Sequence, residues 1–180
     1  MRVMSFDSGA ERMGWSVLEG DGETAPVYID SGIVRFHRGG MEWQPYKLRL
    51  IEYWTYVAPA MFENYKPDAI ACETLPAVGG GNFVAATQSE LGKAAIVTVM
   101  AMAFERDIPV YQVAAVTVKT RIGGKKDATK TQVRNGVIRL LPELEPRKFE
   151  WTDAKKTMDE PDALGVGLTQ LGYGAVRVLR

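Results

Sequence analysis

The sequence predicts an α/β fold: a mixed five-stranded sheet, three antiparallel strands followed by parallel ones, flanked by helices. Three observations predict it. The chain begins with three β-like runs separated by turn residues, "RVMSFD", "GWSVLEG" and "APVYIDSGIVRF", which short turns join antiparallel. A short apolar run, "PDAIACE", follows a helix-favouring stretch, and "IPVYQVA" follows a second one. Strands that alternate with helices form right-handed crossovers and extend a sheet in parallel.

Each element has its own signal. "RVMSFD" and "GWSVLEG" make the first hairpin, and "GDGET" turns the chain into the third strand. From Gln44 to Tyr65 the residues Leu48, Ile51, Trp54, Val57, Met61, Phe62 and Tyr65 recur at helical spacing, and Pro59 among them predicts a kink or break. "PDAIACE" is bounded and apolar, like a buried parallel strand, and "GGGN" comes soon after it. Phe83 to Arg106 is Ala-rich and favours a helix, on which Gly92, Ala94 and Ala95 permit close packing against the sheet or a second copy. "DATKTQVRNGVIRLLP" predicts a helix capped by Asp127, with Val133, Val137, Ile138 and Leu141 on one face and Pro142 as its stop. "EPDALGVGLTQLG" predicts another, with Pro161 in a first turn rich in acids. The segment between them, "ELEPRKFEWTDAKKTMD", has no clean period and reads as loop.

A chain of 180 residues, 46% of them apolar, supports a single domain spanning residues 1–180. Lys and Arg balance Asp and Glu at 22 each, so an electrostatic argument about partners has to be local. The single cysteine, Cys72, excludes an intrachain disulfide and a cysteine-based zinc site; it alternates away from Glu73 along its strand and reads as core packing. "VMSF" directly after Met1 leaves no room for a signal segment, and "AAIVTVMAMAF" is well short of the roughly 20 residues that span a bilayer. The expectation is a soluble protein of a reducing cytoplasm with no membrane partner.

Four acids stand where solubility alone does not explain them. Asp7 closes the first strand, Glu73 closes "AIACE", and Asp159 and Asp162 lie one turn apart at the start of the last helix, sharing a face. Singly, each has an ordinary reading: Asp7 as a turn former before Ser-Gly, Glu73 as a strand exit, Asp159, Glu160 and Asp162 as acids favoured by the helix macrodipole. Together, at one end of a sheet, they would repel unless a hard cation neutralised them. Oxygen-only ligation suits magnesium or manganese, and two such ions can clamp a phosphodiester.

In this context the chain resembles the RuvC-type Holliday junction resolvases of the ribonuclease H-like nucleases. "FDSGAERMGWSV", "KPDAIACETL", "VTVKTRIGGKKDATKTQV" and "DEPDALGV" are similar to the family's motifs, in order, from about residue 3 to residue 171. The resemblance implies a structure-selective endonuclease that cuts four-way or other branched DNA as a homodimer, with Mg²⁺ or Mn²⁺, two ions per site. It implies a catalytic and metal-binding tetrad of Asp7, Glu73, Asp159 and Asp162, with Asp7 bridging both ions, and places catalytic lysines at Lys119 and Lys130. The setting it implies is the cytoplasm of a bacterium, either uninfected or infected by a bacteriophage.

Local charge agrees without the family. Lys119, Arg121, Lys125, Lys126, Lys130 and Arg134 face only Asp127 between residues 119 and 134, and Gly123 and Gly124 let the backbone approach a phosphate. This is the footprint of a DNA-binding stripe; a solvated helix face with a flexible loop is the ordinary alternative. The family often has an aromatic wedge a few residues past the second-motif acid. Here Leu75 and Pro76 stand in that place, with Phe83 a further candidate. His37, the lone histidine, reads as a surface turn residue. Two other functions use parts of the same pattern. A non-catalytic branched-DNA binder would need the basic stripe but not clustered acids. An actin-like phosphotransferase would need a second D-x-G-like loop, which the chain does not show.

Overall fold

A computed structural model of the chain describes residues 1–9, 11–37, 39–74, 83–152 and 157–174. The elements run β1 (Arg2–Ser8), β2 (Arg12–Glu19), β3 (Val27–Arg35), α1 (Trp43–Tyr65), β4 (Ala69–Glu73), α2 (Phe83–Phe104), β5 (Val110–Val113), α3 (Ala115–Arg121), α4 (Lys130–Leu140), a 3₁₀ segment (Pro142–Phe149) and α5 (Asp159–Gln170). The sheet order is β3-β2-β1-β4-β5. β1, β2 and β3 pair antiparallel, while β4 joins β1 and β5 joins β4 in parallel. This is the mixed sheet the sequence predicts.

The period-2 alternation of the central strands divides the core into two layers. Met4 and Phe6 of β1, with Ile70 and Cys72 of β4, pack under α1 and α2 against Trp54, Ala58, Phe62, Ala95 and Val99. Val3, Ala69 and Ala71 face the other way, toward Val133 and Val137 of α4 and Leu164, Val166 and Leu168 of α5. Cys72 sits fully in the first layer, where burial pushes its thiol up to about 12 and leaves it unreactive.

α5 lies across the middle of the sheet because the strands beneath it carry small residues. Ser5 Oγ donates to the Ala163 carbonyl at 2.8 Å and contacts Ser16 Oγ at 2.6 Å. A Cβ on Gly14 would lie 1.9 Å from the Asp159 carbonyl oxygen, so only glycine admits the first turn of the helix here. Met158, Pro161, Ala163 and Leu164 are buried in consequence.

Several local expectations are corrected. The buried stripe of α1 is Tyr46, Leu50, Trp54, Ala58 and Phe62, every fourth residue, and Leu48 is 67% exposed on the opposite side; that ridge is the one packed on the sheet and α2. α1 continues through Pro59, so the proline does not break the helix. The proline removes the donor to the Thr55 carbonyl, which stands on an exposed stretch where water can take its place. α4 is capped by Thr129 in a reciprocal box with Gln132, and Asp127 is exposed two residues earlier. The segment after Pro142, read as loop, begins as a 3₁₀ helix that buries Leu144 and is followed by buried Trp151; short 3₁₀ turns do not show the 3.6-residue period. Among the described residues no helix is long and apolar enough to cross a membrane.

Gly14→Ala is expected to destabilise the protein by about 1–3 kcal/mol, the range for overpacking a tight contact, read as a lower urea midpoint. Ser5→Ala, which removes a hydrogen bond without adding bulk, should cost only about 1 kcal/mol.

Candidate active site

β1 and β4 are parallel neighbours, with Phe6 beside Cys72, so Asp7 and Glu73 emerge at the same end of adjacent strands. Both stand on the face covered by α5, since Phe6 and Cys72 point into the opposite layer. α5 enters above them with Asp159 and Asp162 in its first turn. One carboxylate oxygen from each of Asp7, Asp159 and Asp162 lies within 4.8 Å of the others. Glu73 falls outside this trio but lines the same cleft of about 310 Å³ with Asp7, Asp162, Lys119, Thr129 and Lys130.

Burial and the neighbouring acids raise the proton affinity of Asp7 and Glu73. Asp7 is held well above its ordinary value of 3.8, first by burial, then by Asp162, Glu73 and Asp159, with Lys130 acting the other way. Glu73 is raised from 4.5 by burial and by Asp162, against Lys130, Lys119 and a hydrogen bond with Asp7. Lys130, the first residue of α4, places Nζ 2.8 Å from Asp162 Oδ2 and 3.9 Å from Asp159 Oδ1. Burial alone would lower its ammonium pKa, but Asp162, Asp7 and Asp159 outweigh this and raise it. The Thr129 cap fixes where this helix starts and so where Lys130 stands.

The basic stripe divides in three dimensions. Lys119 and Lys130 line the cleft. Lys125 and Lys126 are exposed on the turn between α3 and α4, Lys125 3.7 Å from Asp127. Arg121 and Arg134 point inward instead: Arg121 Nη1 donates to the Thr169 carbonyl at 3.4 Å, and Arg134 Nη1 to the Trp151 carbonyl at 2.9 Å. These contacts tie α3 to α5 and α4 to the segment before α5. Leu75 and Pro76 lie outside the described residues, as does the side chain of Phe83, whose backbone opens α2. His37 is exposed beyond β3, beside a second groove formed with Arg49 and Tyr53 of α1.

Two features went unmarked at the level of sequence. Arg12 Nε donates to Asp159 Oδ2 at 2.6 Å. Glu160, grouped above with ordinary helix-start acids, is 4% exposed. It accepts from Ser31 Oγ at 2.6 Å and Trp151 Nε1 at 3.0 Å and pairs with Arg147 at 2.7 Å. Arg147 also lies 5.5 Å over the Trp151 ring and donates to the Tyr28 hydroxyl at 3.2 Å. The network pins the start of α5 to β3 and the 3₁₀ segment, holding the flanking acids in place. Nothing in the sequence spacing names Ser31 or Arg147 as partners of Glu160.

The donor set is oxygen only, partly buried and short of compensating charge, which fits a hard divalent cation. The acids also predict a pH dependence. A carboxyl whose folded pKa is raised contributes stability below its unfolded pKa and loses it as pH rises through the folded value. In EDTA the contribution of Asp7 and Glu73 should therefore fall as pH rises above the ordinary carboxylate range, and Mn²⁺ should offset the loss. Thermal melts followed by circular dichroism should show a larger Mn²⁺-induced rise in Tm at pH 8 than at pH 5.

Comparison with known proteins gives the same frame. The family profile described as Crossover junction endodeoxyribonuclease RuvC matches residues 3–170. A relative of that name from Chlorobium phaeovibrioides is 29% identical over 171 residues, covering 95% of this chain and 81% of its own. One from Gluconobacter oxydans is 32% identical over 154 residues, covering 86% and 85%. The Thermus thermophilus RuvC structure superposes with a TM-score of 0.68 at 23% identity, over 94% of this chain and 92% of that one. The yeast mitochondrial Holliday junction resolvase does so at 0.60 and 12% identity, over 96% and 77%. These structures share the ribonuclease H-like fold seen here. By the match along nearly its whole length, the chain belongs to the crossover junction endodeoxyribonuclease RuvC family.

Proposed function

We propose that this protein is a Holliday junction resolvase that nicks opposed strands of four-way DNA by metal-assisted hydrolysis. The observation that carries the reading is the convergence of Asp7, Asp159 and Asp162 within 4.8 Å beside two cleft lysines, in a chain of the RuvC family. T. thermophilus RuvC has been seen in complex with Holliday junction substrate, in a structure that matches this chain with a TM-score of 0.70 at 21% identity.

Asp7, Asp159, Asp162 and Glu73 would hold two Mg²⁺ or Mn²⁺ ions. When bound, such ions supply Lewis-acid stabilisation of the phosphate and lower the pKa of the attacking water. Lys119 and Lys130 stand on the cleft wall, where an ammonium opposes charge developing on the non-bridging oxygens. Attack in line forms a new P–O bond and breaks the bond to the 3′ oxygen, which takes a proton and leaves as the 3′-hydroxyl; the other product is a 5′-phosphate. Lys125 and Lys126 extend positive potential from the cleft toward the flanking duplex. A two-fold homodimer with two such sites would match the two symmetric strands of a junction, and the bacterial cytoplasm, infected or not, is the setting.

Asp7→Asn is expected to lower cleavage of a synthetic four-way junction by about 10³-fold, a loss of several kcal/mol of metal-supplied stabilisation, while junction binding persists. Retained turnover would refute the tetrad, and the absence of Mg²⁺- or Mn²⁺-dependent cleavage by the wild type would leave a junction-binding protein. Lys126→Ala should reduce the salt slope of junction binding by about 1. Arg134→Ala should leave that slope unchanged and lower the urea midpoint, because its guanidinium holds a backbone carbonyl.

A further inference from the structure

We propose that Arg12 is the resident cation of the metal-free site, and that divalent metal releases it from Asp159 to grip a phosphodiester of the bound DNA. The proposal rests on the metal-centre reading above. Asp159 has both oxygens engaged by protein cations: Oδ2 accepts from Arg12 Nε at 2.6 Å, and Oδ1 faces Lys130 Nζ at 3.9 Å. The pair is partly shielded, with Arg12 29% and Asp159 17% exposed at the side chain. A guanidinium cannot relieve crowding by losing its proton. An ion held among Asp7, Asp159 and Asp162 needs an Asp159 lone pair, and a divalent charge at a given distance attracts a carboxylate twice as strongly as a monovalent one. Metal and Arg12 therefore compete for one carboxylate.

The register of the sheet determines where Arg12 goes when it loses that competition. Arg12 stands directly opposite Arg35 across the β2–β3 ladder, and directly opposed cross-strand residues share a face. Arg35 is exposed. While Arg12 holds Asp159, the two like charges are tolerated. Once Arg12 is off the carboxylate, two arginines occupy one ledge at the active end of the sheet, across α5 from the Lys119 and Lys130 wall. Opposed like charges are unfavourable, and an anion between them is the natural relief. A guanidinium binds a phosphate diester through two parallel N–H donors. The expected path of the DNA backbone thus runs from Lys125 and Lys126, through the cleft, to the ledge of Arg12 and Arg35. By linkage, DNA on this ledge tightens metal binding by the same factor that metal tightens DNA.

The test is isothermal titration of Mn²⁺ into the protein without DNA, for wild type, Arg12→Gln and Arg12→Lys. Junction affinity is measured alongside in Ca²⁺ and in EDTA, with the DNA checked to be uncut. Arg12→Gln should bind Mn²⁺ roughly threefold to fivefold tighter, the scale of a partly exposed ion pair, and its Ca²⁺-dependent gain in junction affinity should shrink by a similar factor. Arg12→Lys should stay near wild type in both. Unchanged or weaker Mn²⁺ binding by Arg12→Gln would overturn the proposal and leave Arg12 a strut that positions Asp159, as would an undiminished gain in junction affinity. If the wild type itself fails to bind Mn²⁺, the metal-centre reading falls, and Arg12 with it.

Discussion

The close approach of α5 to the β1–β2 hairpin is the contact on which the site depends. Helices usually pack on sheets through a layer of side chains; here the layer is thinned to Gly14, Ser5 and Ser16, and the helix backbone rests almost on the strands. That proximity carries Asp159 and Asp162 over the end of β1, where Asp7 emerges. The buried Glu160 network fixes the rotation of the same helix from its other side. A helix standing a few ångströms higher would keep every acid and lose the cluster.

Bringing carboxylates together costs electrostatic energy that the fold offsets only in part. The start of a helix favours anions through its macrodipole and free N–H groups, which lessens the cost for Asp159 and Asp162. Asp7, on a strand end, has no such help, and its burial together with Asp162, Glu73 and Asp159 raises its proton affinity. Lys130 and Arg12 supply positive charge from two elements, α4 and β2, on two sides of the acids. The site is thus charge-frustrated by construction, as expected of a functional centre whose missing counter-charge arrives with its cofactor.

Basic residues contiguous in sequence do different jobs in space. Lys119 near the end of α3 and Lys130 at the start of α4 line the cleft, and Lys125 and Lys126 face solvent on the turn between the two helices, where Gly124 takes a φ of +86°. Arg121 and Arg134 close backbone hydrogen bonds between elements. The split follows side-chain chemistry: a planar, multiply donating guanidinium suits the bridging of buried carbonyls, and a compact ammonium stays hydrated until a phosphate displaces water.

The strands, the mixed sheet and the position of the four acids at element ends were all legible in the sequence, because alternation, helical period and turn residues are local signals. The sequence alone also marked the excess of Lys and Arg between residues 119 and 134. It misplaced the buried stripe of α1 by selecting Leu48, since several apolar faces competed and only packing against α2 chose the ridge through Trp54. It missed the 3₁₀ segment that leads to Trp151, the cap at Thr129, the inward turn of Arg121 and Arg134, and the engagement of Arg12 with Asp159. Those pairings span up to 147 residues of chain, and no periodicity encodes a distance of that kind. Residue type and order set which chemistry this protein can hold; the seating of α5 on glycine and serine decided which of those residues meet.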